Sequence, residues 1–187
     1  KDVLTLDELD KKEISQIIEL AINLKKELKK DTMKPLLKNK TLAMIFQKPS
    51  TRTRISFETG MFQLGGHAIN LSAQDLQISR GETIQDTAKT LSRYVDVVMA
   101  RVYDHATLES LAQNASIPII NGLSNSYHPC QILADLMTVK EKKGKLDGLH
   151  LAWIGDGNNV CNSMMIGCSK VGISMSIATP KEFAPDS

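Results

Sequence analysis

The sequence predicts an α/β fold: a parallel sheet with helices on both faces, followed by the opening β-α-β of a second α/β domain. Three observations carry this. Short apolar runs alternate with segments of helical period along the chain. The runs are apolar nearly throughout, as strands covered on both faces are. A polar stretch with two glycines at residues 142–148 then interrupts the alternation, and a new strand-helix-strand run starts after it.

The elements follow in order. Ile14, Ile17, Ile18, Ala21, Leu24 and Leu28 recur at 3.6-residue spacing, and Asp10 with Glu13 forms a capping pair ahead of them. Residues 41–46 form an apolar strand, 52–64 a helix stopped at Gly65-Gly66, and 68–71 a strand. A polar stretch at 72–82 precedes a helix at 84–94 and a strand at 95–100. Residues 107–114 form a helix capped near Asp104, and 117–121 a strand. Residues 129–143 form a long helix with Pro129 in its first turn, where the missing N–H costs nothing. A strand at 149–155, a helix at 158–171 ending at Gly172, and a strand at 174–178 complete the chain. Residues 1–142 read as one complete domain. Residues 147–187 read as the truncated start of another, since about forty residues are too few for a second doubly wound unit. The apolar faces of 149–154 and 164–171 are therefore expected to lack partners, and the chain alone to be inactive.

Composition narrows the function. Apolar residues make up 42% and charged residues 24%, and a net charge of +2 predicts no nucleic-acid face. The pairs Lys25-Lys26, Lys29-Lys30 and Lys142-Lys143 fall at predicted helix ends and read as solvated termini. Cys130, Cys161 and Cys168 are odd in number, form no CxxC and have no His at ligand spacing. Neither a disulfide framework nor a zinc site is expected, and a reducing compartment is. All three cysteines read as structural. No apolar run reaches the ~18 residues of a membrane span, and the N-terminus has no apolar signal region. The expected location is cytoplasmic, or the mitochondrial matrix if a transit peptide has been removed.

Three features point to chemistry. Lys48-Pro49-Ser50-Thr51-Arg52-Thr53-Arg54 follows a strand and opens a helix, so hydroxyls and guanidiniums converge on a helix N-terminus that favours an anion. A capping Ser followed by solvated arginines is the competing explanation. No GxxxxGK[ST] is present, so the segment is not a Walker loop. His128-Pro129-Cys130-Gln131 also lies between a strand and a helix. Such loops gather at the carboxyl ends of parallel strands, where ligands bind, although a His before Pro is often only a turn residue. Arg101 follows the apolar strand at 95–100 and shares that sheet edge. A small, multiply charged phosphate with an adjacent carbonyl fits these donors best, and spacing alone goes no further.

In order along the chain, Ser50-Thr51-Arg52-Thr53-Arg54, Arg101, His128-Pro129-Cys130-Gln131 and Asp156-Gly157-Asn158-Asn159 resemble the signature set of the carbamoyltransferase family. The likeness extends through residues 100–103, 117–123 and 153–156. The resemblance implies two α/β domains, one for carbamoyl phosphate and one for an amine acceptor. It assigns Ser50, Thr51, Arg52 and Thr53 to the phosphate and Arg101, His128 and Gln131 to the carbamoyl end, with Arg101 and His128 polarising the carbonyl as the catalytic pair. It implies a homotrimer, or a multiple of trimers, in which Gln77 reaches a neighbour's carbamoyl phosphate. It implies no cofactor and no metal. Asn159 matches the ornithine branch, where the second Asn contacts the amino acid. L-ornithine is then the acceptor, and citrulline and phosphate the products. Arg80 before Gly81-Glu82 instead resembles the Lys of the aspartate branch. Aspartate, acetylornithine and putrescine stay open as acceptors, as does a module that holds carbamoyl phosphate without turnover. The branch's Asp-x-x-x-Ser-Met-Gly and His-Cys-Leu-Pro loops are absent and are expected beyond Ser187.

Overall fold

The computed structural model describes residues 1–72, 74 and 76–185, except for the side chain of Ser79. Ala73 and Asp75 of the polar stretch, and Asp186 and Ser187 of the segment expected to open a second domain, lie outside the described residues.

Strands β1 (Thr41–Phe46), β2 (His67–Ser72), β3 (Val97–Arg101) and β4 (Ile119–Leu123) form a parallel sheet in the order β2-β1-β3-β4. Side chains alternate across a strand, so each residue set on β1 needs its own cover. Ala43 and Ile45 join Val98, Ala100 and Ile119 against Ala88 of helix α3 (Ile84–Leu91) and Leu108 and Leu111 of α4 (His105–Asn114). Leu42, Met44 and Met99 pack the other way, onto Met61 and Phe57 of α2 (Thr51–Gln63). Both sets are apolar because both faces are covered, as the unbroken apolar runs predict. The sequence does not show that the N-terminal residues extend the sheet. Val3 bridges Ile120, donating to Ile119 O at 2.9 Å and accepting from Asn121 N at 2.8 Å.

A further core joins α1 (Lys11–Lys29), α5 (Pro129–Lys143) and α6 (Asn159–Val171). It consists of Leu6, Leu9, Ile14, Ile18, Ile132, Leu136, Met164, Cys168 and Val171 with their neighbours. This corrects one expectation: the apolar face at 164–171 is covered, by α1 and α5. Gly167 permits the approach of α5 to α6, since a Cβ there would stand 2.6 Å from Ile132 Cγ2. Strands β5 (His150–Ile154) and β6 (Ser174–Ala178) pair in parallel as a separate sheet. Leu151 and Met175 pack on this core, while Ile154 is 85% exposed.

The strand order positions the site. β1 has β2 on one side and β3 on the other, so the connections after β1 and β3 leave in opposite directions. The carboxyl ends of those two strands flank the crevice where ligands bind in open α/β sheets.

Candidate active site

Ser50 caps α2. Its backbone is extended (φ −159°, ψ 113°), and its Oγ accepts from Thr53 N at 3.3 Å. The first turn of α2 carries no acidic residue, so nothing on the helix offsets the positive end of its dipole. Arg54 is engaged with Glu58, four residues on, at 2.9 Å. Arg52 lies against the crevice instead.

Arg101 closes β3. Its Nη1 stands 3.5 Å from Thr53 Oγ1, and its Nε is buried without a hydrogen-bond partner. Burial, and then the charge of Arg52, lower the Arg101 pKa from its ordinary value. Two guanidiniums that repel each other at a partly buried sheet edge favour an anion between them. The sheet is irregular here. Ala100 pairs with Asn121 but Arg101 with Leu123, so Gly122 is the extra residue of a bulge, a device that re-aims side chains beside active sites. Gly122 leaves no room for a side chain, since Met99 Sδ occupies the space a Cβ would take.

His128 is the N-cap of α5 (φ −141°, ψ 67°), with Pro129 behind it. Its Nδ1 is buried without a partner. Burial, and then Arg101, push its pKa down to about 4, so the imidazole is neutral at pH 7 and can donate through one N–H. Gln131, exposed in the first turn of α5, donates from Nε2 to Asp135 Oδ1 at 2.9 Å.

The structure thus brings Ser50, Arg52, Thr53, Arg101, His128 and Gln131 around one cavity of about 460 Å³. Sequence reasoning misses Ser56, Phe57, Gly122, Leu123, Cys130 and Ala134, which complete its lining. Ser56 and Phe57 carry a signal, because they lie three and four residues beyond Thr53 on the same helix face. Cys130, read from the sequence as structural, lines the cavity. Burial pushes its thiol up to about 11, however, so it is no thiolate nucleophile at neutral pH.

Three expected site residues are not on that lining. Thr51 faces an adjoining depression of about 540 Å³ with Pro49, Arg54 and Asn70. Gln77 is exposed at the start of a 3-10 turn, Gln77–Arg80. Asn159 opens α6 and donates from Nδ2 to Ser124 O at 2.7 Å. Among the described residues, no cluster of three or more His, Cys, Asp or Glu could hold a metal ion, and no helix is long and apolar enough to cross a membrane.

Residues 1–141 match the family model described as aspartate/ornithine carbamoyltransferase, carbamoyl-P binding domain, and residues 147–187 the model for its Asp/Orn binding domain. The chain is 63% identical over 185 residues to the ornithine carbamoyltransferase of Cenarchaeum symbiosum, covering 99% of this chain and 61% of that protein. It is 56% identical over 183 residues to the Bacillus subtilis ornithine carbamoyltransferase, covering 98% and 56%. The solved ornithine carbamoyltransferase of Pyrococcus furiosus superposes with a TM-score of 0.97 at 55% identity, over 100% of this chain and 59% of that one. The chain thus spans about 60% of the length of the curated relatives it matches.

Proposed function

Because the chain belongs to the aspartate/ornithine carbamoyltransferase family, we propose that its protein transfers the carbamoyl group of carbamoyl phosphate to the side-chain amine of L-ornithine, giving citrulline and phosphate. The observation that carries this is the meeting of Ser50, Arg52 and Thr53 with Arg101, His128 and Gln131 on one small cavity. The acceptor rests on the relatives, which are named ornithine carbamoyltransferases at 53–63% identity.

Each group then has a task. The α2 N-terminus with Ser50, Thr51, Arg52 and Thr53 holds the phosphate. Arg101 and the neutral His128 donate to the carbonyl oxygen, and Gln131 binds the carbamoyl amide. The amine attacks the carbonyl carbon, a C–N bond forms, and charge moves to that oxygen. The bond from that carbon to the bridging phosphate oxygen then breaks, and phosphate leaves with the electron pair and takes up the proton that the amine gives up. Fixed cations and donors at both places where charge grows lower the barrier without reorganising, and holding both reactants in one site supplies much of the rest. The chemistry calls for no cofactor, since phosphate is already a competent leaving group.

Residues 1–142 form the carbamoyl-phosphate domain on this reading, and 147–187 open the ornithine domain, where Asn159 contacts the amino acid. Matches of the two family models to 1–141 and 147–187 support the division. The protein is a cytoplasmic enzyme of arginine biosynthesis and works as a trimer, with Gln77 reaching a neighbour's site. Carbamoyl transfer by the full-length protein to ornithine, acetylornithine, putrescine and aspartate, run in parallel, tests the acceptor. Ornithine should win clearly, and a preference for any other amine would overturn the reading.

A further inference from the structure

The loop at 124–128 carries His128 to the cavity, and a helix from beyond the polar 142–148 stretch holds it there. On α6, Asn159, Asn162 and Ser163 lie at i, i+3 and i+4, so they share one face. Each meets a different backbone group of the loop. Asn159 Nδ2 donates to Ser124 O at 2.7 Å, Asn162 Nδ2 donates to Ser126 O at 3.2 Å, and Ser163 Oγ accepts from His128 N at 2.8 Å. Ser163 is fully buried and Asn162 nearly so. The contact to His128 matters most. That N–H belongs to the N-cap of α5, where the helix offers it no partner. The backbone at this residue is neither helical nor fully extended, and it sets where the ring points. A second set of contacts holds the far side of the same loop. Ser124 Oγ lies 3.0 Å from His105 Nδ1, and the His105 ring meets the Tyr127 ring edge-on, with centroids 4.9 Å apart. The loop is thus clamped between α4 and α6.

We propose that Ser163, with Asn162 beside it, is a positioning residue for His128: α6 fixes the backbone that aims the imidazole at the cavity. Neither side chain lines the cavity, and both meet the loop that carries His128. The inference rests on the reading of His128 as a donor to the carbonyl oxygen.

The test is a double-mutant cycle in the full-length protein: Ser163→Ala, His128→Ala and the double variant, each followed by kcat, by calorimetric binding of inorganic phosphate and by thermal melting. Ser163→Ala should lower kcat on the order of 10-fold, as small misplacements of reacting groups do. Phosphate affinity should hold, because its ligands sit on α2. In the His128→Ala background the same substitution should cost less than about 2-fold, since the group it positions is gone. An equal loss in both backgrounds would mean a general structural role and overturn the proposal, as would a wild-type kcat in Ser163→Ala. If Ser163→Ala fails to fold, Asn162→Ala is put through the same cycle: a loss confined to the His128 background supports the proposal, and an equal loss or a wild-type kcat overturns it. A wild-type kcat in His128→Ala itself would instead strike the reading of His128, a result separate from either.

Discussion

Arg52 and Arg101 bring two guanidiniums to one cavity, and the lowered pKa of Arg101 reports burial and the repulsion that follows. Bound carbamoyl phosphate relieves that repulsion, accepting from Arg52 at its phosphate and from Arg101 at its carbonyl oxygen. Charge-assisted hydrogen bonds contribute roughly 1.5–3 kcal/mol each. Arg52→Ala should therefore weaken carbamoyl-phosphate binding by at least ~10-fold in calorimetry, and Arg52→Lys should restore only part of it, because an ammonium lacks the bidentate fork. Unchanged affinity in Arg52→Ala would remove Arg52 from the site. His128 makes a second expectation, in pH. Its folded pKa is about 4 against an ordinary 6.5, so between those values the unfolded chain binds the proton and the folded one does not. Stability carried by the neutral ring is then present above about pH 6.5 and is lost as pH falls toward 4. The urea midpoint of the wild type should drop more steeply over that window than that of His128→Asn. Parallel slopes would show that the ring is not held neutral. The half-buried His105 shifts the same way, and comparing the two proteins cancels its share. Ser50, Arg52, Arg101 and His128 are legible in the sequence because each sits where a strand gives way to the segment that follows it. Gly122 is not, since it enters the site through a register shift between two strands, which one strand's sequence does not encode.

Helices α5 and α6 show packing that periodicity does not reveal. Gly167 reads as a weak point in a helix, yet a Cβ there would press on Ile132 Cγ2 at 2.6 Å and on Leu6 Cδ1 at 3.3 Å. Gly167→Ala gains helix propensity but overpacks this contact, which typically costs about 1–3 kcal/mol. The net effect should be destabilising in urea unfolding. Ile132→Ala should make the second substitution cheaper, because it removes the methyl that is struck, and strict additivity of the two would exclude the clash. Among the described residues, sequence periodicity finds each α-helix and each strand of the two sheets, but it misplaces some ends. Residues 92–94 carry the pattern of the helix that stops at Leu91. Ser92 N still bonds back four residues to Ala88 O, but Arg93 N and Tyr94 N bond back three, to Thr90 O and Leu91 O, so the helix tightens there instead of continuing. The capping pair of Asp10 and Glu13 is legible because its chemistry is local, and both of its hydrogen bonds form. The bridge of Val3 to the sheet is not, because one extended residue has no period to detect.

At the scale of the whole molecule, the 142–148 stretch is a legible boundary in composition, whereas the core crossing it is not. Leu6 and Ile14 meet Met164 and Val171 from opposite ends of the sequence, and only the fold brings them together. The same limit applies to Gln77. Its chain places it in an exposed 3-10 turn, away from the lining of the cavity that holds Arg52. If Gln77 serves carbamoyl phosphate, as proposed, it serves the site of another subunit. Complementation tests this. In the full-length protein, Arg52→Ala and Gln77→Ala homotrimers should each be nearly inactive, because every site lacks one group. The two are then unfolded, mixed in equal amounts and reassembled. A whole site needs Arg52 from a Gln77→Ala chain and Gln77 from an Arg52→Ala neighbour. Random assembly in a closed ring makes about one site in four whole, so activity should return to roughly a quarter of wild type. If Gln77 acted within its own chain, every site in every mixture would keep a defect and no activity would return. If Gln77 were only a solvated loop residue, the Gln77→Ala homotrimer would be active before any mixing. Recovery near a quarter therefore requires a site shared between subunits, and a mixture as inactive as its parents would reject the sharing outright.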